Sequence, residues 1–283
     1  MIDETAAKIA DMQTHSSSVV AVEAAQALRE LTDKEFPTVE EYRRTLERNS
    51  HALRRANPSH ASLHNTQRAI VDAVESADVT TVEDAQSVTV DAIEDVVEMV
   101  ETGKRRAAER AATVLTDADT ILTHDFSTTV LSSIARAVED GAAFDVYVTE
   151  ARPRYLGRKM ARRLSEIEAV DTTLIVDSAG GHYLPECDRV VVGMDCIVDD
   201  TLYNRIGTYP LAATAADVGV PVTAVGSAAK VVEGGFAFEN EQRAPSEVML
   251  EPAEGFEIEN PAYDATPTRL LDSVVTDEGV EGY

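Results

Sequence analysis

Several features that would assign this chain to particular protein classes are missing from its sequence. It has no run of about 18 apolar residues, so we expect no membrane-spanning helix. Its first residues are acidic and lack the basic start and apolar block of a signal peptide. The two cysteines, Cys187 and Cys196, have neither the spacing of metal ligands nor that of a disulfide framework. We therefore expect a soluble, cytoplasmic protein without cofactor or membrane contact.

Positive charge is also scarce. The chain has 51 acidic and 25 basic residues, a formal charge of −26, and no tryptophan. Because no basic, aromatic-interleaved patch occurs, we expect no direct binding of nucleic acid. The acids are spread along the whole chain, which favours adaptation to a salt-rich cytoplasm, where the Debye length falls to about 3 Å at 1 M. A surface that meets a basic partner is the alternative. His60 and His64 lack a third ligand, so no metal site is predicted.

The hydrophobic pattern divides the chain into two parts. Residues 1–115 carry apolar residues at helical spacing and predict a helical domain. Residues 116–283 alternate short apolar runs with helical periods, which predicts a Rossmann-like parallel sheet flanked by helices. The fold class is therefore α/β. In such sheets ligands bind beyond the carboxyl ends of the strands, and the candidate site residues were sought there.

Polar residues follow the first two predicted strands. Asp125, Ser127 and Thr128 stand where the first strand gives way to a helix. Free backbone N–H groups at that helix start favour a phosphate ligand at Ser127 and Thr128. Alternatively, Asp125 or Ser127 simply caps the helix. Arg152 follows the second strand and predicts either a phosphate-binding fork or a salt bridge to Glu150 or another of the many acids.

A third group of polar residues follows a later strand. Asp195 ends that strand, and Asn204 with Arg205 precedes the next helix. A carboxylate beside an amide and a cation could bind sugar hydroxyls or move protons. Turn formation is the alternative, because Asp and Asn favour turns in any case.

Five of these segments occur in an order that resembles one family. They are ILTHDFS at 121–127, VTEARP at 148–153, VGMDCI at 192–197, NRIGT at 204–208 and NPAYDATP at 260–267. They are similar to motifs of the translation initiation factor 2B alpha/beta/delta family. The resemblance implies a helical domain joined to a Rossmann-like domain, and a homo-oligomer. It also implies two branches: regulatory subunits of the exchange factor for initiation factor 2, and isomerases of ribose 1,5-bisphosphate or methylthioribose 1-phosphate.

Departures from the isomerase pattern bear on the choice of branch. In the isomerases, the resemblance implies a catalytic Cys where Asp125 stands and a catalytic Asp at Asp195. It also implies phosphate-binding cations where this chain has Thr14–Ser17 and Asn57, and a lysine at Arg205. Losing two charge-assisted hydrogen bonds, each of roughly 1.5–3 kcal/mol, weakens binding by about two to four powers of ten.

We therefore predict a non-catalytic, regulatory subunit linked to translation initiation, with initiation factor 2 components as partners and a pocket that senses a nucleotide or sugar phosphate. The alternative is an isomerase in which Asp125 and Asp195 share the proton work and Ser127, Thr128 and Arg152 hold phosphate. That alternative requires both carboxyl groups to converge on one cavity, and it fails if Asp125 caps its own helix. A metabolic binding protein outside translation is a third hypothesis.

Overall fold

A computed structural model describes residues 2–11, 17–58, 60–232, 236–251 and 254–283. Thr14 to Ser16, which align with a phosphate-binding stretch of the isomerases, lie outside the described residues. None of the helices within these ranges combines the length and hydrophobicity needed to cross a membrane.

The secondary structure alternates as the pattern predicts from the first strand onward. The α-helices of the described residues are α1 (Ile2–Asp11), α2 (Ser17–Leu28), α3 (Val39–Ala56), α4 (Ala61–Ser76), α5 (Val82–Leu115), α6 (Thr128–Glu139), α7 (Leu156–Leu164), α8 (Gly180–Tyr183), α9 (Thr208–Val218) and α10 (Pro245–Val248). The strands are β1 (Thr120–Thr123), β2 (Phe144–Thr149), β3 (Val170–Ile175), β4 (Arg189–Gly193), β5 (Cys196–Val198), β6 (Thr201–Arg205), β7 (Val222–Val225), β8 (Val231–Val232), β9 (Tyr263–Pro267), β10 (Ser273–Val275) and β11 (Val280–Gly282).

The chain forms two compact units. One comprises Met1–Gly103 with Ala229–Glu239, and the other Lys104–Ala228 with Asn240–Tyr283. The change from one unit to the other falls inside α5, and the predicted domain boundary at residue 115 is the last residue of that helix. The exact domain division stays a prediction.

The first unit is a helical bundle with an apolar core. Helix α3 illustrates why: Thr38 accepts a hydrogen bond from the Glu41 backbone N–H at 3.2 Å and so caps the helix start. Tyr42 and Leu46 then follow at a spacing of four residues and are fully buried. The Tyr42 hydroxyl lies 2.6 Å from the Thr89 hydroxyl, which satisfies the buried phenol.

The second unit is built on a seven-stranded sheet of order β11-β10-β7-β4-β1-β2-β3. All neighbours are parallel except β10 and β11. Strands β4 and β7 are buried along most of their length, as expected for parallel strands covered on both faces. The predicted α/β class with a mostly parallel sheet is thereby confirmed.

The strand order places the segments that follow β1 and β4 side by side. From β1 the chain proceeds outward to β2 and β3, and then returns to β4 on the other side of β1. This reversal is the topological switch point, where open α/β sheets hold their ligands. Close packing there requires glycine at 193, because a Cβ atom would lie 2.7 Å from the Ser127 hydroxyl. The residues that follow β1 and β4 are therefore neighbours.

After β4, three antiparallel strands bring the chain back to the carboxyl edge of the large sheet. Strand β5 pairs with β6, and β6 pairs with β9. The Asp195 backbone N–H donates to the Tyr203 carbonyl at 3.0 Å, which starts this hairpin directly after β4. In the β6–β9 pairing, Arg205 lies opposite Tyr263. The hairpin thereby brings Arg205 back towards Asp195.

Candidate functional site

A cleft opens at the carboxyl edge of the sheet, beside β1 and β2. The space between its walls is about 320 Å³ when the part open to solvent is included. The cleft is lined by Asp125, Ala151, Arg152, Pro153, Arg154, Leu156, Arg205, Ile206, Arg243, Asn260, Pro261 and Ala262. Of the residues predicted from the sequence, Asp125, Arg152 and Arg205 line the cleft.

Two carboxyl groups meet on one guanidinium at this cleft. The Nε atom of Arg205 lies 3.6 Å from Asp125 Oδ2 and 3.7 Å from Asp195 Oδ2. The side chains of Asp125, Arg205 and Asp195 retain 10%, 27% and 30% exposure, respectively. Ser127, and not Asp125, caps α6, since its hydroxyl accepts from the Val130 N–H at 3.2 Å. Asp125 therefore does not cap its own helix, and both carboxyl groups converge on Arg205. Of the two, only Asp125 lines the cleft, so the convergence on one cavity that the isomerase hypothesis requires is met in part.

The electrostatics of this cluster favour a shared proton. Burial raises the pKa of Asp125, and the nearby Arg205 opposes that rise only in part. Burial alone lowers the pKa of Arg205, but the charges of Asp195, Tyr263 and Asp125 outweigh it and raise the pKa, so Arg205 stays cationic. With both carboxyls ionised the three groups carry one net negative charge, and one proton makes them neutral. Burial thus favours the protonated form of Asp125.

The raised pKa of Asp125 predicts a pH dependence of stability. The folded chain binds this proton more tightly than the unfolded chain, whose aspartates titrate near pH 3.9. Stability is therefore lost as pH rises from about 4 through the folded-state pKa. We expect Asp125→Asn to flatten this decline in urea unfolding measured at constant ionic strength. Asp199→Asn, at an exposed position, should keep the wild-type slope. Equal slopes for Asp125→Asn and the wild type would contradict the assignment.

His124 fixes the backbone that carries Asp125. Its Nε2 atom lies 2.8 Å from the Ile206 carbonyl, and its Nδ1 atom lies 2.6 Å from the Thr149 hydroxyl. A carbonyl only accepts, so Nε2 bears the hydrogen, and in the neutral ring Nδ1 accepts from Thr149. Gly207 packs against this ring so closely that a Cβ would lie 2.6 Å from His124 Cε1. His124 therefore joins the ends of β1 and β2 to the loop before α9.

Arg152 lies on a loop whose backbone is held by the carboxylate of Asp177. Both oxygens of Asp177 accept backbone N–H groups, from Ala151 and Arg152, at 2.7 Å each. The guanidinium donates to the Val248 carbonyl at 3.0 Å. Glu150 pairs with Arg158 at 2.7 Å and not with Arg152. Among the residues that the structure describes, no carboxylate forms an ion pair with Arg152, which lines the cleft.

Two further arginines at the cleft were missed in the sequence. Arg154 lies two residues after Arg152, and within the described ranges neither makes an ion pair with a carboxylate. Arg243 also lines the cleft, but it pairs with Glu241 at 2.8 Å and Glu247 at 3.0 Å. The sequence Arg-Pro-Arg at residues 152–154 could have indicated Arg154 as a second cation beside Arg152. Nothing in the acidic tail singled out Arg243.

The remaining candidates hold local structure instead of lining the cleft. Asn204 is 5% exposed and donates to the Thr208 hydroxyl at 3.0 Å. Asp264 accepts the N–H groups of Gly207 at 2.7 Å and Tyr209 at 3.0 Å, so a protein carboxylate already occupies the start of α9. Ser127 is engaged as the cap of α6, and Thr128 is exposed on its first turn. Asn204, Ser127 and Thr128 therefore do not line the cleft.

With this geometry in place, comparison with known proteins identifies the family. The model of the initiation factor 2 subunit family matches residues 13–281. The chain belongs to this family. A ribose 1,5-bisphosphate isomerase of Haloferax volcanii is 34% identical, covering 98% of this chain and 88% of the relative. A solved structure described as translation initiation factor eIF-2B of Pyrococcus horikoshii is 25% identical, with a TM-score of 0.75, covering 99% of this chain and 96% of that one.

The comparisons overturn the predicted branch. Six family members, 30–34% identical over 97–99% of this chain, are named ribose 1,5-bisphosphate isomerase. The prediction of a non-catalytic regulatory subunit linked to translation is therefore wrong. Its physical argument counted phosphate-binding cations only at aligned positions such as Asn57. Arg154 lies at the cleft from a position that this count did not include.

Proposed function

We propose that this chain is an aldose–ketose isomerase that converts ribose 1,5-bisphosphate to ribulose 1,5-bisphosphate. The observation that carries the proposal is the convergence of Asp125 and Asp195 on Arg205 at the switch point of the sheet. A pair of carboxyl groups, one with a raised pKa, is suited to give one proton and take another. The names of the six similar family members support the same substrate.

In the proposed reaction each carboxyl group has one task. Protonated Asp125 gives its proton to the ring oxygen as the bond between that oxygen and C1 breaks. The hydrogen on C2 then moves to the electron-poor C1 as a hydride, with the electron pair of its bond, while ionised Asp195 takes the proton of the 2-hydroxyl and a carbonyl forms at C2. Arg205 stays charged throughout and stabilises whichever carboxyl group is ionised. The proton gained by Asp195 and the one lost by Asp125 balance, so the pair is reset by one proton transfer.

Arg152 and Arg154 are the proposed phosphate ligands. Both line the cleft, and guanidinium groups match two phosphate oxygens at once. The clamp by Asp177 fixes the backbone of Arg152, so less freedom is lost when the ligand binds. Arg243 is held by two carboxylates and is proposed to shape the cleft instead of binding phosphate.

Ligand-induced stabilisation tests these assignments. We expect ribose 1,5-bisphosphate at 100 times its dissociation constant to add about 2.7 kcal/mol of stability in thermal unfolding at high salt. Methylthioribose 1-phosphate and AMP, each with one phosphate, should add less at the same concentration. The double variant Arg152→Ala/Arg154→Ala should lose the shift, whereas Arg162→Ala, exposed on α7, should keep it. A full shift in the double variant would remove these arginines from the site.

Turnover is tested directly by following the carbon skeleton. Incubation of the full chain with ribose 1,5-bisphosphate labelled with ¹³C at C2 should produce a ketone carbon signal. Binding without this signal would contradict catalysis while leaving the phosphate site intact. Absence of both binding and signal at high salt would contradict the proposed substrate.

We also propose that the protein works as a homo-oligomer in a salt-rich cell. The family resemblance supports the assembly, and the formal charge of −26 supports the salt adaptation. Light scattering after size exclusion in molar KCl and in dilute buffer should give a dimer or larger species at high salt. A monomer under both conditions would contradict the assembly.

A further inference from the structure

The aromatic ring of Tyr263 faces the guanidinium group of Arg205. In the β6–β9 pairing the two residues are direct partners on antiparallel strands, so their side chains leave the same face of the small sheet. The Arg205 Cζ atom lies 4.8 Å from the centre of the ring. That distance is inside the limit of about 6 Å for a cation–π contact. Arg205 therefore contacts an aromatic ring as well as the carboxyl groups of Asp125 and Asp195.

The two carboxyl groups attract Arg205 without fixing its orientation. Its Nε atom lies 3.6 Å from Asp125 Oδ2 and 3.7 Å from Asp195 Oδ2. A charge-assisted hydrogen bond is about 2.7–2.9 Å long, so neither contact is a hydrogen bond. The attraction between charges depends on distance and not on angle, which leaves a long side chain free to turn. The face of the Tyr263 ring supplies the directional contact, because the attraction is confined to that face.

The backbone that carries the ring is itself held in place. The Asn240 side chain makes two hydrogen bonds to Tyr263: its Nδ2 atom donates to the carbonyl at 2.8 Å, and its Oδ1 atom accepts from the N–H at 3.2 Å. Next to Arg205, the Ile206 N–H donates to the Ala262 carbonyl at 3.0 Å. The two strands are therefore hydrogen-bonded to each other at the point where the ring meets the guanidinium.

The phenol of Tyr263 is poorly suited to acid–base catalysis. Burial, followed by the charge of Asp195, raises the pKa of Tyr263 to about 12, and the charge of Arg205 opposes the rise only in part. The phenol therefore stays neutral near neutral pH and gives up its proton less readily than an ordinary tyrosine. The part of Tyr263 that can act on Arg205 is the ring face.

Cross-strand pairing alone offers a simpler account of the contact. Side-chain pairs on facing strands stabilise antiparallel sheets in general. That role predicts a loss of stability when the ring is removed, with no change at the carboxyl groups. Arg205 is, however, the cation that Asp125 and Asp195 share. A change in its orientation therefore alters the charge balance at both carboxyl groups, which a purely structural role of the ring would not do.

We propose that Tyr263 is a positioning residue that holds Arg205 towards Asp125 and Asp195. The inference rests on the proposed isomerase function, because it assigns Tyr263 a role in that same site. Burial raises the pKa of Asp125 and the charge of Asp195 adds to the rise, whereas Arg205 and His124 oppose it. When Arg205 loses the ring and turns away, one of the two opposing charges is weakened. The pKa of Asp125 then rises further.

Carboxyl ¹³C NMR titration of the full chain, without substrate and at constant salt, tests the positioning. The Asp125 signal is assigned by its loss in Asp125→Asn. We expect Tyr263→Leu to raise the pKa of Asp125 above that of the wild type, and Tyr263→Phe, which keeps the ring, to leave it unchanged. Tyr147→Leu is the control, since it removes a half-buried ring that stacks on Tyr183 at 4.7 Å. Tyr263→Met takes the place of Tyr263→Leu if the latter unfolds.

Kinetics relate the positioning to turnover. For ribose 1,5-bisphosphate, we expect Tyr263→Leu to lower kcat about three- to thirtyfold, the worth of one cation–π contact, with little change in KM. The high-pH limb of the kcat profile, where Asp125 loses its proton, should move to higher pH in Tyr263→Leu. The same limb should stay in place in Tyr263→Phe and in Tyr147→Leu.

Two results would overturn the proposal. One is an Asp125 pKa in Tyr263→Leu equal to that of the wild type, because Arg205 then keeps its place without the ring. The other is an equal rise in Tyr263→Leu and Tyr263→Phe, because the hydroxyl and not the ring then holds Arg205. The titration uses no substrate, so it separates the two proposals. A wild type that gives no turnover, with the expected titration, contradicts the isomerase function and leaves the positioning of Arg205 intact.

Discussion

Asp195→Asn is expected to reduce kcat for ribose 1,5-bisphosphate about 10²- to 10⁴-fold, the range typical of a lost general acid or base. Asparagine keeps the shape of the side chain but cannot take the proton of the 2-hydroxyl. Substrate binding should change little, because phosphate is held by Arg152 and Arg154 in the proposed site. Initial rates over a range of substrate concentrations, at constant salt, separate kcat from KM.

Asp199→Asn provides the matched control for Asp195→Asn. It makes the same chemical change four residues later, at an exposed position in the turn between β5 and β6. Its kcat should equal that of the wild type. If Asp195→Asn retained more than a tenth of the wild-type kcat, Asp195 would not be the base, and the carboxyl pair would have a structural role only.

The sequence predicted the edge of the sheet where the site forms. Strand–helix alternation predicts a parallel sheet, and parallel strands place their carboxyl ends at one edge. Asp125 and Asp195 each follow a strand, so their proximity follows from the strand order β4-β1. That order itself was not readable from periodicity, which gives strands without their neighbours. The family resemblance supplied the missing information.

The contacts made by the hairpin and by the loop before α6 could not be predicted from the sequence. Arg205 reaches both carboxyl groups because the β5–β6 hairpin folds back over the edge, and its register places Cys196 opposite Tyr203. For Asp195 and Asn204 the sequence predicted either a ligand contact or a turn, and it predicted no hairpin between them. The choice of Ser127 over Asp125 as the helix cap likewise depends on local backbone angles: Asp125 has a positive φ of 64°, which turns it away from the cap position.

The wrong prediction of a regulatory subunit also arose because positions in space could not be read from the sequence. Electrostatic complementarity depends on where charges lie in space, and the sequence argument counted them at aligned positions. Arg154 lies at the cleft in the same loop as Arg152 and was not counted. This chain has Asn57 where the isomerase motif has arginine. That difference alone therefore does not show that the ligand is lost.

Arg205→Gln should have the largest effect on stability of the substitutions considered. It leaves Asp125 and Asp195 facing each other without a cation, in a partly buried cluster. Breaking a buried pair costs about 3–5 kcal/mol, and the remaining exposure of Asp195 and Arg205 reduces this to roughly 2–3 kcal/mol. The loss should be greatest above the folded-state pKa of Asp125, where both carboxyl groups are ionised, and shrink in acid, where Asp125 is protonated. Urea unfolding at pH 5 and pH 7.5 measures both quantities.

A double-mutant cycle assigns that loss to the carboxyl groups. Adding Asp125→Asn to Arg205→Gln removes one of the opposed charges, so the double variant should be more stable than Arg205→Gln alone. Arg205→Lys should retain the stability and part of the kcat, since a lysine stands at this position in the isomerase motif that the sequence resembles. A cost below about 0.5 kcal/mol for Arg205→Gln would mean that solvent screens the cluster. The shared proton would then have no structural basis, and the roles of Asp125 and Asp195 would have to be reassigned.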